Sequence, residues 1–139
     1  MSTSFEFTEG SPLPAVRRNI TQQNINLYAK ASGDFNPIHI DADYARQTPL
    51  GGTVAHGMLI LAYISQMMTS AFGQHWLTSG KLNIRFRAPA RPGDNITVSG
   101  TIRRIEKNDG YKMIDCDVLC SNQHDEPVIT GDAKIKVAG

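Results

Sequence analysis

The stretch VAHGMLILAYISQMMTSAFG, from Val54 to Gly73, decides the fold, because it is apolar on nearly every helical face and stops at a glycine. A helix of this composition is predicted to be buried all round. Its unbroken apolar run, Met58 to Ile64, is too short for a bilayer, which needs about 20 such residues. We expect its amino end, at His56 and Gly57, to point into the interior with free backbone N–H groups that attract negative charge.

After this helix, the apolar residues follow a strand pattern instead of a helical one. The alternating rows are Leu82, Ile84 and Phe86; Ile96, Val98 and Ile102; Ile114, Cys116, Val118 and Cys120; and Ile129, Ala133, Ile135 and Val137. Ile105 is out of phase with the second row, which predicts a bulge near Arg103 and Arg104. One-sided alternation is typical of an antiparallel sheet with one wet face. Such a sheet, curved around one long helix, is an α+β architecture.

The residues ahead of the long helix contain weaker signals. Phe5 and Phe7 alternate with polar residues and predict a short strand, and residues Ala15 to Ile20 are compatible with an extended chain. Thr21 is a suitable N-cap for a short helix that ends at Gly33. We therefore expect extended chain and then a short helix that ends at Gly33, before the turn-rich segment that leads to the long helix.

Length and composition limit the class of protein. The 139 residues carry 14 Lys plus Arg against 13 Asp plus Glu, so no general charge attracts nucleic acid or an anionic membrane. The amino terminus lacks the basic and apolar segments of a secretory signal, which predicts a cytoplasmic protein. Cys116 and Cys120 are too far apart along one strand to form a disulfide, and we interpret them as core thiols.

Turn-forming residues fill the stretch ASGDFNPIHIDADYARQTPLGG, from Ala31 to Gly52. Pro37 keeps Asn36 out of the helical region, which predicts a non-helical excursion. Asp41 is a suitable cap for a brief helix from Ala42 to Arg46. This irregular segment leads directly to the long helix, and loops held by rigid elements are where chemistry usually occurs.

Asp34 and His39 lie five residues apart across that proline bend. Imidazole titrates near neutrality and a carboxylate accepts or returns a proton, so this pair is able to hold and activate one water. The alternative is structural: Asp34 accepts N–H groups of the turn, and His39 is an ordinary loop histidine. The spacing alone favours the structural alternative.

Three blocks of sequence resemble the MaoC-like (R)-specific enoyl-CoA hydratases. They are YAKASGDFNPIHIDADYA from Tyr28 to Ala45, AHGML from Ala55 to Leu59, and RFRAPARPGD from Arg85 to Asp94. The first block is similar to the hydratase motif of that family. The resemblance implies a single hot-dog domain over residues 1–139, with a curved antiparallel sheet wrapped around a long central helix.

The resemblance also implies site residues. Asp34 and His39 match the catalytic Asp and His that hold the attacking water, and Asn36 matches the motif's Asn, which shapes the turn. Gly57 matches the start of the central helix, where its N–H binds the thioester oxygen. Ser65 matches a position near the catalytic pair. His56 is interpreted as a supporting residue that shapes the helix start through a hydrogen bond.

The implied activity is hydration of trans-2-enoyl-CoA to (R)-3-hydroxyacyl-CoA, or the reverse dehydration, without a metal or a redox cofactor. The implied substrate is an acyl thioester of CoA or of acyl carrier protein. Two other functions stay open: a hot-dog acyl-CoA thioesterase, and a non-catalytic module that binds acyl thioesters. Family members usually pair two domains edge to edge, and an exposed edge strand independently favours a homodimer.

Overall fold

The computed structural model describes residues 7–139 and confirms the α+β class. Helices α1 to α5 span Gln22–Ser32, Pro37–Ile40, Ala42–Arg46, Gly57–Phe72 and Gln74–Ser79. Strands β1 to β5 span Val16–Asn19, Lys81–Phe86, Asn95–Asn108, Tyr111–Ser121 and Pro127–Ala138. The strands form one sheet in the order β1-β3-β4-β5-β2, and each neighbouring pair is antiparallel.

The sheet follows the alternation of the sequence closely. The four predicted rows lie in β2 to β5, and the register shifts between Ile102 and Arg104, where the bulge was predicted. Cys116 and Cys120 are buried on one face of β4, and burial is the main cause that raises the pKa of each thiol to about 12. A thiol with so high a pKa is almost never a thiolate at neutral pH, so both are inert core residues, as expected.

The central helix α4 is shorter at its amino end than predicted. It begins at Gly57, because the N–H of Val54 donates to the carbonyl of Ile38 and that of Ala55 donates to the carbonyl of Ala90. These bonds keep the chain extended up to His56. The predicted end is confirmed, since Gly73 follows the last helical residue and its N–H donates to the carbonyl of Thr69.

The prediction that this helix is buried all round is wrong for the single chain. One face packs against β1, β3, β4 and β5 and buries five side chains: Ile60, Ile64, Met67, Met68 and Phe72. The opposite face is open, and Met58 is 56% exposed. His56 is buried but Gly57 is exposed, so the amino end lies at the surface and not in the interior. The reason is that a single sheet covers only one side of a helix.

Helix α5 was not predicted from the sequence. It has six residues and is anchored by the buried Trp76, whose indole N–H donates to the hydroxyl of Ser65 at 3.0 Å. Gly80 follows the helix, and a Cβ there would lie 2.2 Å from the Trp76 ring. A helix this short has no apolar period of its own, so tertiary contacts account for it. Besides Trp76, the Ser79 hydroxyl bonds to the backbone of Lys136 in β5.

The described residues begin at Phe7, so the predicted strand from Phe5 to Phe7 lies partly outside them. Phe7 itself is not in a strand, and its ring stacks on Phe72 with centroids 5.0 Å apart. Within residues 7–139, the structure contains no helix with the length and hydropathy that a membrane crossing requires.

Candidate active site

Residues 33–56, which we name the connecting segment, join α1 to α4. Thr21 caps α1 as predicted, and Gly33 ends it in the left-handed conformation with φ of 79°. Only glycine adopts this conformation without strain, and it turns the chain toward Asp34. Asp41 caps α3 as predicted, by accepting the N–H of Tyr44.

Asn36 shapes the turn before His39. Its backbone is non-helical, as predicted, and its side-chain oxygen accepts the N–H of Ile38 at 3.1 Å. The prediction of a non-helical segment is correct at Asn36 but wrong after it, because Pro37 begins the short helix α2. Proline is favoured at the first helical position, since its ring fixes a helical φ and no N–H is needed there. Helix α2 carries His39 toward Asp34.

The Asp34 carboxylate and the His39 imidazole converge. The Oδ2 atom of Asp34 lies 3.8 Å from Nε2 of His39. The other carboxylate oxygen, Oδ1, accepts the N–H of Asn36 at 3.2 Å, which fixes the direction of the side chain. The Asp34 side chain is 52% exposed and that of His39 only 11%. The pair therefore joins a buried ring to an oxygen that solvent or substrate can reach.

One hydrogen bond determines the tautomer of His39. Its Nδ1 lies 2.8 Å from the carbonyl oxygen of Val54. A carbonyl only accepts, so we assign the hydrogen to Nδ1. In the neutral ring, Nε2 then has a free lone pair that faces Asp34. This nitrogen is able to accept a proton.

His56 contacts both members of the pair. It is 2% exposed, and its Nε2 donates to the backbone carbonyl of Asp34 at 3.0 Å. Its ring stacks on that of His39 with centroids 3.9 Å apart, and Tyr28 packs on it at 4.8 Å. The expected hydrogen bond of His56 exists, but it reaches the connecting segment and not the helix start.

Gly57 is the first residue of α4 and directly follows His56. No hydrogen bond to its backbone N–H is found among residues 7–139. The Phe86 ring lies against it, so that a Cβ on residue 57 would come within 2.8 Å of the ring. Gly57, Ile60, Phe86, Arg87 and neighbouring residues line a cavity of about 340 Å³. A free donor at a helix start beside a cavity is suited to a developing negative charge.

Ser65 lies two turns further along α4, on the side of α5. Its hydroxyl accepts the hydrogen bond from Trp76, and its carbonyl accepts from the Thr69 hydroxyl. The structure shows no hydrogen bond from Ser65 to Asp34 or His39 in the described part of the chain. It therefore brings together Asp34, His39 and His56, with Asn36 at the turn and Gly57 next to His56 in the chain. The hydrogen bonds of Ser65 go to α5 and within α4 instead.

The geometry of the same cluster argues against a metal ion. Ligand atoms of Asp34, His39 and His56 all lie within 4.8 Å of one another. A ring nitrogen binds a metal in the plane of its ring at about 2 Å. The two imidazole rings are tilted by only 26° and stacked 3.9 Å apart, so their planes do not meet at that distance. The two imidazoles are therefore not able to bind one metal ion together in this arrangement.

The sequence did not indicate two further parts of this site. The carbonyl of Val54, which orients His39, belongs to a residue that was predicted to be helical. The Phe86 ring, which lies on Gly57, was interpreted as one member of a half-buried strand row, although it is 54% exposed. The sequence gives no signal for this, because the exposure of Phe86 and the edge position of its strand are visible only in the structure.

Several known proteins are similar to this chain in sequence and in fold. The 3-hydroxybutyryl-CoA dehydratase of Methylorubrum extorquens is 29% identical over 133 residues, which are 96% of this chain and 83% of that protein. The (R)-specific enoyl-CoA hydratase of Rhodospirillum rubrum is 31% identical over 98 residues, 70% of this chain and 68% of that protein. The unliganded R-hydratase from Pseudomonas aeruginosa superimposes with a TM-score of 0.82 at 27% identity, over 96% of this chain and 83% of that one. Its fold confirms the hot-dog prediction.

A model of the family described as the MaoC like domain matches residues 5–124, which include the connecting segment, α4 and most of the sheet. The resemblance inferred from the three sequence blocks is thereby confirmed, and the chain belongs to the MaoC-like dehydratase family.

Proposed function

We propose that this protein is a hydro-lyase that adds water to trans-2-enoyl-CoA, giving (R)-3-hydroxyacyl-CoA, or catalyses the reverse dehydration of a 3-hydroxyacyl thioester. The observation that supports this most directly is the 3.8 Å approach of Asp34 Oδ2 to His39 Nε2, with Gly57 starting a helix next to the stacked His56. The names of the related dehydratase and hydratase agree with it.

The separation of the pair suits one bridging water. Two acceptors 3.8 Å apart are both reached by a single water at hydrogen-bond distances of about 2.8 Å. In our mechanism, that water donates one hydrogen to His39 Nε2 and the other to Asp34 Oδ2. Its oxygen bonds to C3 of the enoyl group as one proton passes to the pair, and the pair returns a proton to C2. The sum is the addition of one water.

The Gly57 N–H has the complementary task in this mechanism. As the water oxygen bonds to C3, the electrons of the double bond move toward the carbonyl and the thioester becomes an enolate. The oxygen of that enolate accepts a hydrogen bond from Gly57 at the positive end of α4. Because glycine has no Cβ, the thioester is able to approach the backbone closely. The group that carries the acyl chain is CoA or acyl carrier protein.

We also propose that the working form is a homodimer in the cytoplasm. The half-exposed Asp34, the exposed Gly57 and the exposed face of α4 leave the site open in a single chain. Strand β2 lies at one edge of the sheet. Its last residue, Phe86, lines the cavity beside Gly57. A second copy that pairs with this edge would cover apolar surface and exclude water from the site.

The test follows a short enoyl-CoA by its absorbance, with free thiol measured in parallel. Loss of the enoyl absorbance without thiol release supports a hydratase, and stoichiometric thiol release would instead support the thioesterase. We expect Asp34→Asn and His39→Ala each to lower kcat by about 100-fold or more, as for loss of a positioned acid or base. His124→Ala, an exposed histidine on a hairpin turn, is the matched control and should leave kcat unchanged.

Two further results would contradict the proposal. If Asp34→Asn and His39→Ala both retain the turnover of the parent protein, the pair is not catalytic. If the parent protein binds acyl-CoA but turns over neither the double bond nor the thioester, it is a binding module.

A further inference from the structure

Gln22, the first residue of α1, makes three side-chain hydrogen bonds, two of them with the connecting segment. Its amide Nε2 donates to the backbone carbonyl of His39 at 2.8 Å and to the side chain of Asn26 at 3.0 Å. Its Oε1 accepts the hydroxyl of Thr53 at 2.8 Å. Both ends of one amide are thus used, across 17 and 31 residues of sequence.

These bonds close a ring around His39. The His39 side chain donates from Nδ1 to the carbonyl of Val54. Val54 is joined covalently to Thr53, which donates to Gln22, and Gln22 donates back to the carbonyl of His39. His39 is therefore held at its ring by the carbonyl of Val54 and at its backbone by Gln22. Thr53, the neighbour of Val54, holds Gln22 in turn.

Helix α1 also connects Gln22 to Asp34. It begins α1, and Asp34 follows the glycine that ends the same helix. A helix is rigid over this length, so the amide that fixes His39 and the carboxylate that faces it belong to one body. The distance between Asp34 Oδ2 and His39 Nε2 depends on how α2 packs against α1, and the Gln22 amide is hydrogen-bonded across that contact to the carbonyl of His39.

We infer that Gln22 is a positioning residue of the active site: through the ring of bonds with Thr53 and Val54, its amide holds His39 at the distance from Asp34 that a bridging water requires. This inference rests on the proposed hydratase function. Gln22 has no role in binding the reacting atoms. Its loss should therefore change the rate of the chemical step and leave substrate binding almost unaltered.

The test substitutes Gln22→Met, which keeps the length of the side chain and removes all three hydrogen bonds. A misplaced catalytic group costs on the order of 10- to 100-fold, so we expect kcat to fall by at least about 10-fold with KM within about twofold of the parent. Gln23→Met is the matched control. Gln23 is the next residue of α1 and is exposed, and no side-chain hydrogen bond to it is found in residues 7–139.

A second pair of variants tests the ring without altering Gln22. Thr53→Val removes the hydroxyl that orients the Gln22 amide, while Thr53→Ser retains it. We expect Thr53→Val to lower kcat several-fold and Thr53→Ser to restore it, because the hydroxyl and not the methyl group takes part.

Three outcomes would overturn the inference: kcat of Gln22→Met within twofold of the parent, an equal loss in Gln23→Met, or equal rates for Thr53→Val and Thr53→Ser. If Gln22→Met does not fold, the two Thr53 variants decide the matter. If the parent protein hydrates no enoyl thioester, the proposed function itself is wrong. That result differs from the three outcomes above, which compare variants with an active parent protein.

Discussion

The sheet and the connecting segment are stabilised in different ways. Strands β3, β4 and β5 are joined by long backbone ladders, each with a single shift of register. Their inward side chains, such as Ile114, Ile129 and Ile135, are completely buried. The connecting segment has almost no ladder. Its shape depends on bonds from side chains to backbone, including those of Asn36, His39 and His56. Substitutions in the core of the sheet should therefore lower the free energy of unfolding, and substitutions in the connecting segment should lower kcat.

This division has a physical reason. Backbone ladders and buried apolar area are repeated over many residues, so the sheet supplies most of the free energy of folding. Each bond from a side chain to the backbone contributes only about 1 kcal/mol, but it fixes the direction of one group. The segment is thus able to aim Asp34 and His39 because the sheet and α4 supply the stability that it lacks.

The largest expected effect on stability comes from the sheet. Ile114→Ala removes a buried side chain of β4 that packs in the core, and such truncations cost about 3 kcal/mol. Urea unfolding should show this loss, while kcat per folded molecule stays at the parent value. Leu119→Ala on the same strand is the control, because Leu119 is 37% exposed and its truncation should cost less than about 1 kcal/mol. A large fall in kcat for Ile114→Ala would show that the sheet core affects activity as well as stability, which contradicts this prediction.

The converse effect is expected at the start of α4. Gly57→Ala places a Cβ where the thioester should approach, and loss of oxyanion stabilisation costs about 100-fold in kcat. The midpoint of urea unfolding should change little, because the Phe86 ring that the Cβ meets is 54% exposed and free to turn aside.

The double variant Gly57→Ala/Phe86→Ala identifies the cause of that loss. If the added Cβ itself blocks the thioester, removal of the ring does not restore kcat. Recovery of the parent kcat in the double variant would show instead that the displaced ring was responsible, and a single Gly57→Ala with parent kcat would remove Gly57 from the proposed mechanism.

The same division explains what the sequence could predict. Alternation gave the strands of β2 to β5 and even the bulge before Arg104, because a period of two residues directly reports a sheet with one buried face. Caps are local as well, so Thr21 and Asp41 were identified as helix starts from their neighbours alone. These features depend on residues a few positions apart.

The parts that were missed depend on contacts between distant residues. The start of α4 was placed too early, because the bonds of Val54 and Ala55 go to Ile38 and Ala90 and have no local signal. Helix α5 depends on the contact of Trp76 with Ser65. Asp34 and His39 were found through the family motif, since their spacing alone favoured a structural role. The bonds from Val54 and Gln22 to His39 needed the structure.

The smallest expected effect is at Asn36, which contributes both to stability and to the placement of His39. Asn36→Ala removes the side-chain cap of α2, which typically costs about 1 kcal/mol, and also loosens the turn that carries His39. Asn36→Ser retains a capping oxygen and should recover most of the stability. If Asn36 acts only as a cap, kcat follows stability in both variants and returns with serine. If kcat stays low in Asn36→Ser although unfolding is normal, the amide of Asn36 has a direct part in the reaction, and the turn contributes chemistry as well as shape.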